Sequence, residues 1–147
     1  MKSKTLIAST ILLVLTCFSS CNTFKDNELS NYSESLKNID GAWQLKTVSR
    51  NGIDISNTMD FSQFRLNLNV DGSYTLDNYL PFAVKKAGQW KVDDPQYPFK
   101  LIFRETNSTN DVTIGLKYPI VDGKRIISIS LSPGCTSNTY IYEFEKK

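Results

Sequence analysis

Histidine is absent from all 147 residues. Its absence removes the usual general base, the commonest protein ligand for zinc and the ordinary means of activating a serine or cysteine nucleophile. Cysteine is scarce as well: Cys17, Cys21 and Cys135 are the only three, which leaves no disulfide framework and no thiolate cluster for a metal. Neither charge dominates, with 17 basic against 15 acidic residues, so nothing favours nucleic acid as a partner. The carboxylates are placed like structural ones. Asp71 and Asp122 stand in turn sequences, Asp93-Asp94 precedes Pro95, and Glu143 and Glu145 alternate with apolar residues. No calcium loop, glycine-rich phosphate loop or internal repeat is present. The expectation is a protein without catalytic residues, metal site or cofactor, and not an enzyme.

What is present begins at the N-terminus. Met1 to Lys4 carry two lysines and no acid, and Thr5 to Phe18 form an apolar run broken only by Ser9, Thr10 and Thr16. That run has the length of a signal-peptide core, whereas a membrane-spanning helix needs about 20 apolar residues. Phe18-Ser19-Ser20-Cys21 follows, small residues and then cysteine, and it resembles the lipobox of bacterial lipoproteins. The resemblance implies cleavage before Cys21, diacylglycerol on its thiol and attachment to a membrane through that lipid. On this reading residues 1–20 are a lipoprotein signal peptide. Cys17 leaves with it, Cys21 is acylated, and Cys135 has no partner. Without Lys2 and Lys4 the bases equal the acids, so the mature chain is formally neutral.

Residues 21–40 are polar and sparse in large apolar side chains, as suits a lipidated tether. A short helix over residues 30–38 would put Leu29, Tyr32 and Leu36 on one side. Lys25-Asp26-Asn27-Glu28 is similar to the acidic stretch after the acylated cysteine in some surface-exported lipoproteins, and Asn22 is not the aspartate associated with inner-membrane retention. The implied location is the bacterial cell envelope, at the outer membrane, on its periplasmic or its surface face.

From Gly41 onward the period is that of strands. Phe64, Leu66, Leu68 and Val70 alternate with polar residues and run into Asp71-Gly72-Ser73, which predicts a three-residue hairpin loop pairing Val70 with Tyr74 and Leu68 with Leu76. Val112 to Ile120 alternate up to a two-residue turn at Asp122-Gly123, which pairs Leu116 with Ile129 and places Arg125 on the inward face opposite Ile120, close to the turn, where its charge must reach the barrel rim, pair with an acid or contact something in the interior. The remaining strands are 42–49, 86–93, 98–105 and 138–145, with Trp43, Leu45, Trp90, Val92, Phe99, Leu101, Phe103, Tyr140, Tyr142 and Phe144 inward. Residues 41–147 thus make one all-β domain of eight sequential antiparallel strands. Short connections favour an up-and-down barrel over a two-sheet sandwich.

Gly41-Ala42-Trp43, at the head of the first of these strands, resembles the Gly-x-Trp motif that opens lipocalins, and the chain is similar to small lipocalin-like bacterial lipoproteins. The resemblance implies an eight-stranded barrel able to hold a small, partly apolar ligand. It also implies a late arginine packed across Trp43, for which Arg125 is the candidate. Such a ligand would meet Trp43, Trp90, Phe103, Arg125 and Tyr142. The alternative is that these aromatic side chains fill the interior and the barrel meets an envelope protein through its loops. Leu80 to Val84, apolar yet in a connection, would plug one end, line an entrance or meet that partner.

Overall fold

A strand without a neighbour on each side leaves backbone amides and carbonyls unpaired, and a closed ring supplies both neighbours to every strand while its alternating apolar side chains share one interior. The computed structural model describes residues 33–78, 82–135 and 137–147; Cys21, the expected signal peptide and most of the expected tether lie outside them. In chain order the strands are β1 (Gly41–Arg50), β2 (Ile53–Asp54), β3 (Arg65–Leu68), β4 (Ser73–Asp77), β5 (Gly88–Val92), β6 (Lys100–Glu105), β7 (Val112–Lys117), β8 (Ile120–Val121), β9 (Lys124–Leu131) and β10 (Tyr140–Lys146). Among the described residues there is no helix, and 33–40 are irregular.

β2 and β8 are two-residue arms. The other eight strands form the wall, each antiparallel to the next, and β10 closes the ring by pairing with both β9 and β1. The expected eight-stranded up-and-down barrel is therefore the fold. A sandwich is ruled out by the β10–β1 ladder, which runs from Trp43↔Lys146 to Arg50↔Tyr140 across one bulge.

Inward side chains are apolar and buried: Trp43, Leu45 and Val48 from β1, Leu66 and Leu68 from β3, Leu101 and Phe103 from β6, Ile127 and Ile129 from β9, Tyr142 and Phe144 from β10. Full burial of each contributes roughly 1.5–3 kcal/mol of transfer free energy. Outward neighbours such as Lys46, Gln89, Lys91, Arg104 and Lys117 are exposed. This wall is apolar inside and polar outside, the reverse of a membrane-spanning barrel. Along β1 the alternation slips once. A bulge at Lys46, between Leu45 and Thr47, turns Val48 rather than Thr47 inward.

Connections alternate between the two ends. The turn before β4, the β5–β6 connection and the β8–β9 hairpin share an end with Ser35–Asp40 and with Lys147; we call it the N-terminal end. The connections after β2, β4, β6 and β9 share the other, the loop end. At the N-terminal end the chain ahead of Gly41 is part of the core. Ile39 is buried, the Trp43 indole Nε1 donates to the Ile39 carbonyl at 2.8 Å, and the Tyr118 hydroxyl donates to the Asn38 carbonyl at 2.8 Å. Ser35–Lys147 accordingly forms one compact unit.

Several inward expectations fail where the wall stops. The first hairpin pairs Leu68 with Tyr74 and Leu66 with Leu76, two residues from the expected register, because the three-residue loop is Val70-Asp71-Gly72 with Gly72 at φ +81°. A glycine in the left-handed conformation closes such a loop at its third position, and Val70 is left on the tip, exposed. Phe99 is exposed because β6 begins only at Lys100, where the Asp93 carboxylate accepts the Phe99 and Lys100 amides at 3.0 and 2.9 Å. The second hairpin has the expected pairs Leu116↔Ile129 and Ile120↔Arg125. Its tip leaves the wall after Lys117, however, so Ile120 and Arg125 face solvent rather than the interior.

At Gly88 the β6 backbone leaves no room for a side chain: a Cβ there would stand 2.0 Å from the Arg104 carbonyl oxygen. Gly88→Ala is expected to destabilise by about 1–3 kcal/mol, the usual cost of forcing atoms into a packed site. The check is a urea unfolding curve. An unchanged midpoint would mean that the wall yields freely there.

Candidate functional site

The loop end carries the feature on which any use of the barrel interior depends. From the β4–β5 connection Phe82 and Val84 turn inward and are buried. The Phe82 ring lies 5.5 Å from Phe64, 6.0 Å from Phe103, 5.9 Å from Tyr142 in a stacked arrangement and 6.4 Å from Phe144. Aromatic pairs at such distances add about 0.5–1.5 kcal/mol each beyond the area they bury. Phe82 thus occupies the volume in which a barrel-bound molecule would sit.

The strap that follows is tied to the wall. The Glu105 carboxylate accepts the Lys85 amide at 2.6 Å and the Lys86 amide at 3.2 Å, and the Ala87 carbonyl accepts both the amide and the hydroxyl of Thr106 at 2.9 Å. The Lys85 amide, followed by the Lys86 amide and the two lysine charges, holds the Glu105 carboxyl below its ordinary pKa against the opposing effect of desolvation.

Two features of the barrel are not those of a finished core. Tyr74 is buried with its ring 4.7 Å from Phe103, yet its hydroxyl has no hydrogen-bond partner. Burial, with a smaller contribution from the Glu105 charge, pushes that phenol up to about 12. The wall also parts at the loop end. The β7–β9 ladder holds from Gly115↔Ser130 to Lys117↔Ser128 only, although β7 begins at Val112 and β9 runs to Leu131. A cleft of about 410 Å³ opens between Val112–Ile114 and Leu131–Pro133, with Phe82 and Ala83 also lining it.

The residues read from the sequence as a ligand site do not converge. Phe103 and Tyr142 both contact Phe82 at the plug. Trp90 pairs with Phe103 in the β5–β6 ladder, is half-buried, and donates its indole Nε1 to the Asn69 carbonyl at 3.0 Å, bracing the first hairpin. Trp43 lies at the N-terminal end, where Lys146 rather than Arg125 takes the place expected for the packing cation, with Nζ 5.7 Å from the ring centroid. Arg125 reaches the rim, one of the outcomes open to a charge at that position, 5.0 Å over the Tyr118 ring and donating to the Tyr118 carbonyl at 3.0 Å. Tyr118 meets Trp43 edge-on at 6.3 Å, so the arginine reaches the tryptophan through one intervening ring. Cys21 lies outside the described residues, and Cys135 is free and exposed. Sequence reasoning missed the orphaned state of the Tyr74 hydroxyl. Its only signal was an inward tyrosine with no polar residue opposite it.

Among protein families, the profile described as Domain of unknown function (DUF5004) matches residues 21–145. The chain belongs to the DUF5004 family. Its DUF5004 match begins at Cys21 and takes in every strand of the barrel, up to Glu145 in β10. No curated protein and no solved structure matches this DUF5004 chain.

The lowered carboxyl of Glu105 makes the strap pH-dependent in a definite sense. A carboxylate whose folded pKa lies below its ordinary 4.5 contributes fully above that pH, and the contribution is lost as pH falls through the lowered value. Hydrogen exchange at the Lys85 and Lys86 amides is expected to quicken on acidification, relative to exchange in the β10–β1 ladder, and to be quick at all pH values in Glu105→Gln. Equal protection in that variant would show that the carboxylate does not hold the strap.

Proposed function

We propose that this chain is a lipid-anchored protein of the bacterial envelope, attached through diacylglycerol on Cys21. In this reading its barrel is a filled, non-catalytic module that meets another envelope protein through the loop end. The observation that carries the choice of a filled module over a carrier is the position of Phe82 among Phe64, Phe103, Tyr142 and Phe144. A ligand could enter that volume only after four ring contacts had been broken. Attachment is supported by the charged, apolar and small-small-cysteine sequence up to Cys21, and by a family match that starts at this cysteine. An outer-membrane location fits the absence of aspartate at Asn22.

The test is to isolate the protein from native membranes without added ligand and weigh it intact, then again after solvent extraction. The expected result is a chain that carries diacylglycerol at Cys21 and no stoichiometric small molecule. A co-purifying apolar compound at one per chain would overturn the filled-module reading.

A second reading, the carrier of a small, partly apolar ligand that the lipocalin resemblance implies, has a specific observation in its favour. The buried Tyr74 hydroxyl lacks a partner, and a bound molecule with one polar group would supply it. Tyr74→Phe separates the two. In a filled core the substitution removes an unsatisfied polar atom and is expected to stabilise by roughly 1 kcal/mol. In a carrier it removes a ligand contact, and the protein as isolated would melt at a lower temperature than the parent.

A further inference from the structure

Large apolar side chains left in solvent are distributed unevenly over the two ends. Of those exposed among the described residues, Ile53 and Met59 lie in the β1–β3 connection at the loop end. Leu36 at 70%, Val70 at 88%, Tyr97 at 51%, Phe99 at 70%, Ile120 at 59% and Val121 at 46% all belong to the N-terminal end. They sit on four separate tips. Leu36 neighbours Lys37, whose amide donates to Pro95 in the β5–β6 connection at 2.8 Å. Val70 is on the first hairpin turn, Tyr97 and Phe99 are on the β5–β6 connection, and Ile120 and Val121 form the β8 arm beyond the wall.

These tips are held in place rather than loose. The Asp94 carboxylate accepts the Gln96 and Tyr97 amides at 2.8 and 3.2 Å, Asp93 holds the Phe99 amide, and Asp71 accepts the Ser73 amide at 2.9 Å. Ile120 and Val121 are paired with Arg125 and Lys124. A rim that fixes apolar and aromatic groups outward, with lysines and aspartates between them, matches the layer where a bilayer's headgroups meet its chains.

Chain length adds an independent constraint. Residues 22–34 separate Cys21 from the compact unit and span at most about 45 Å at full extension. A tilted wall as tall as the ten-residue β1 stands about 25 Å high. Turning the N-terminal end away from the membrane would therefore use up more than half of that reach in crossing the wall.

We propose that the N-terminal end of the barrel is a lipid-docking face, whose apolar tips dip into the interface of the same bilayer that holds the acyl chain on Cys21. The inference rests on the proposed attachment through Cys21 and adds an orientation to it: the plugged loop end points away from the membrane, toward whatever partner it meets. Lys100, Lys117 and Lys124 on this face are interleaved with Asp93, Asp94 and Asp122, and Arg125, Lys146 and Lys147 leave it only slightly basic, so insertion of apolar tips carries the docking, and salt should not release it.

The test uses the lipidated protein, purified and reconstituted into vesicles of phosphatidylethanolamine and phosphatidylglycerol with brominated acyl chains. Val70→Cys, Phe99→Cys and Ile120→Cys, each in a Cys135→Ser background, receive an environment-sensitive fluorophore; Ile53→Cys at the loop end is the control. All four sites are exposed, so folding is not at stake. The expected result is quenching and a blue shift at 70, 99 and 120, unchanged in high salt, and neither at 53. Protein held in the vesicles by its acyl chain but with all four probes in water would overturn the docking face while leaving the anchor intact. An N-terminal peptide without the mass of diacylglycerol would overturn the anchor, and the orientation with it.

Discussion

Strand β10 pairs along one edge with β1 and along the other with β9, and that double pairing gives every inward side chain its interior. Without it β1 and β9 would present unpaired amides and carbonyls, and the faces that carry Trp43, Leu66, Phe103 and Ile129 would meet water. The ladder to β1 also absorbs the bulge at Lys46, which brings Val48 rather than Thr47 to the core. The Lys46 ammonium pairs with Glu145 on the outside of the same two strands. A surface pair of this kind is worth little in itself; what fixes the register is that a slip by one residue would turn Tyr142 and Phe144 outward.

Closure creates two ends, and the chain treats them differently. At the N-terminal end Ile39, Trp43 and Tyr118 make a lid tied by hydrogen bonds to the carbonyls of Asn38 and Ile39, with Lys146 and Arg125 laid over the rings of Trp43 and Tyr118. At the loop end the lid is a connection that inserts Phe82 and Val84, held by the aromatic contacts of Phe82 and by a strap moored to Glu105. The first closure is built from chain that must pass there in any case. The second depends on a connection folding back into the barrel, and beside it lie the parted β7–β9 edges and the unpartnered Tyr74 hydroxyl.

Strand positions were legible because alternation with a period of two needs only a local pattern. The Asp122-Gly123 turn was legible because a two-residue hairpin demands left-handed backbone at both positions, which those residues supply at φ +50° and +75°. The same rule failed wherever it was carried past the wall. Val70, Phe99, Ile120 and Arg125 continue the period of their strands, but a period says nothing of where the neighbouring strand ends. The placement of the ligand-site candidates shows the same limit. Trp43, Trp90, Phe103, Arg125 and Tyr142 share an expected face, yet facing inward is compatible with lying at opposite ends of the same interior.

By itself the sequence determined an all-β domain of eight antiparallel strands, the pairing of its second hairpin and the lack of histidine chemistry, because each follows from residue type and spacing along the chain. Only the tertiary structure decided which inward residues meet, that Phe82 fills the space between them, that Lys146 rather than Arg125 covers Trp43, and which apolar side chains are left on the rim. Those outcomes depend on the stagger of strands around a closed ring, a relation among segments far apart in sequence that no local pattern encodes.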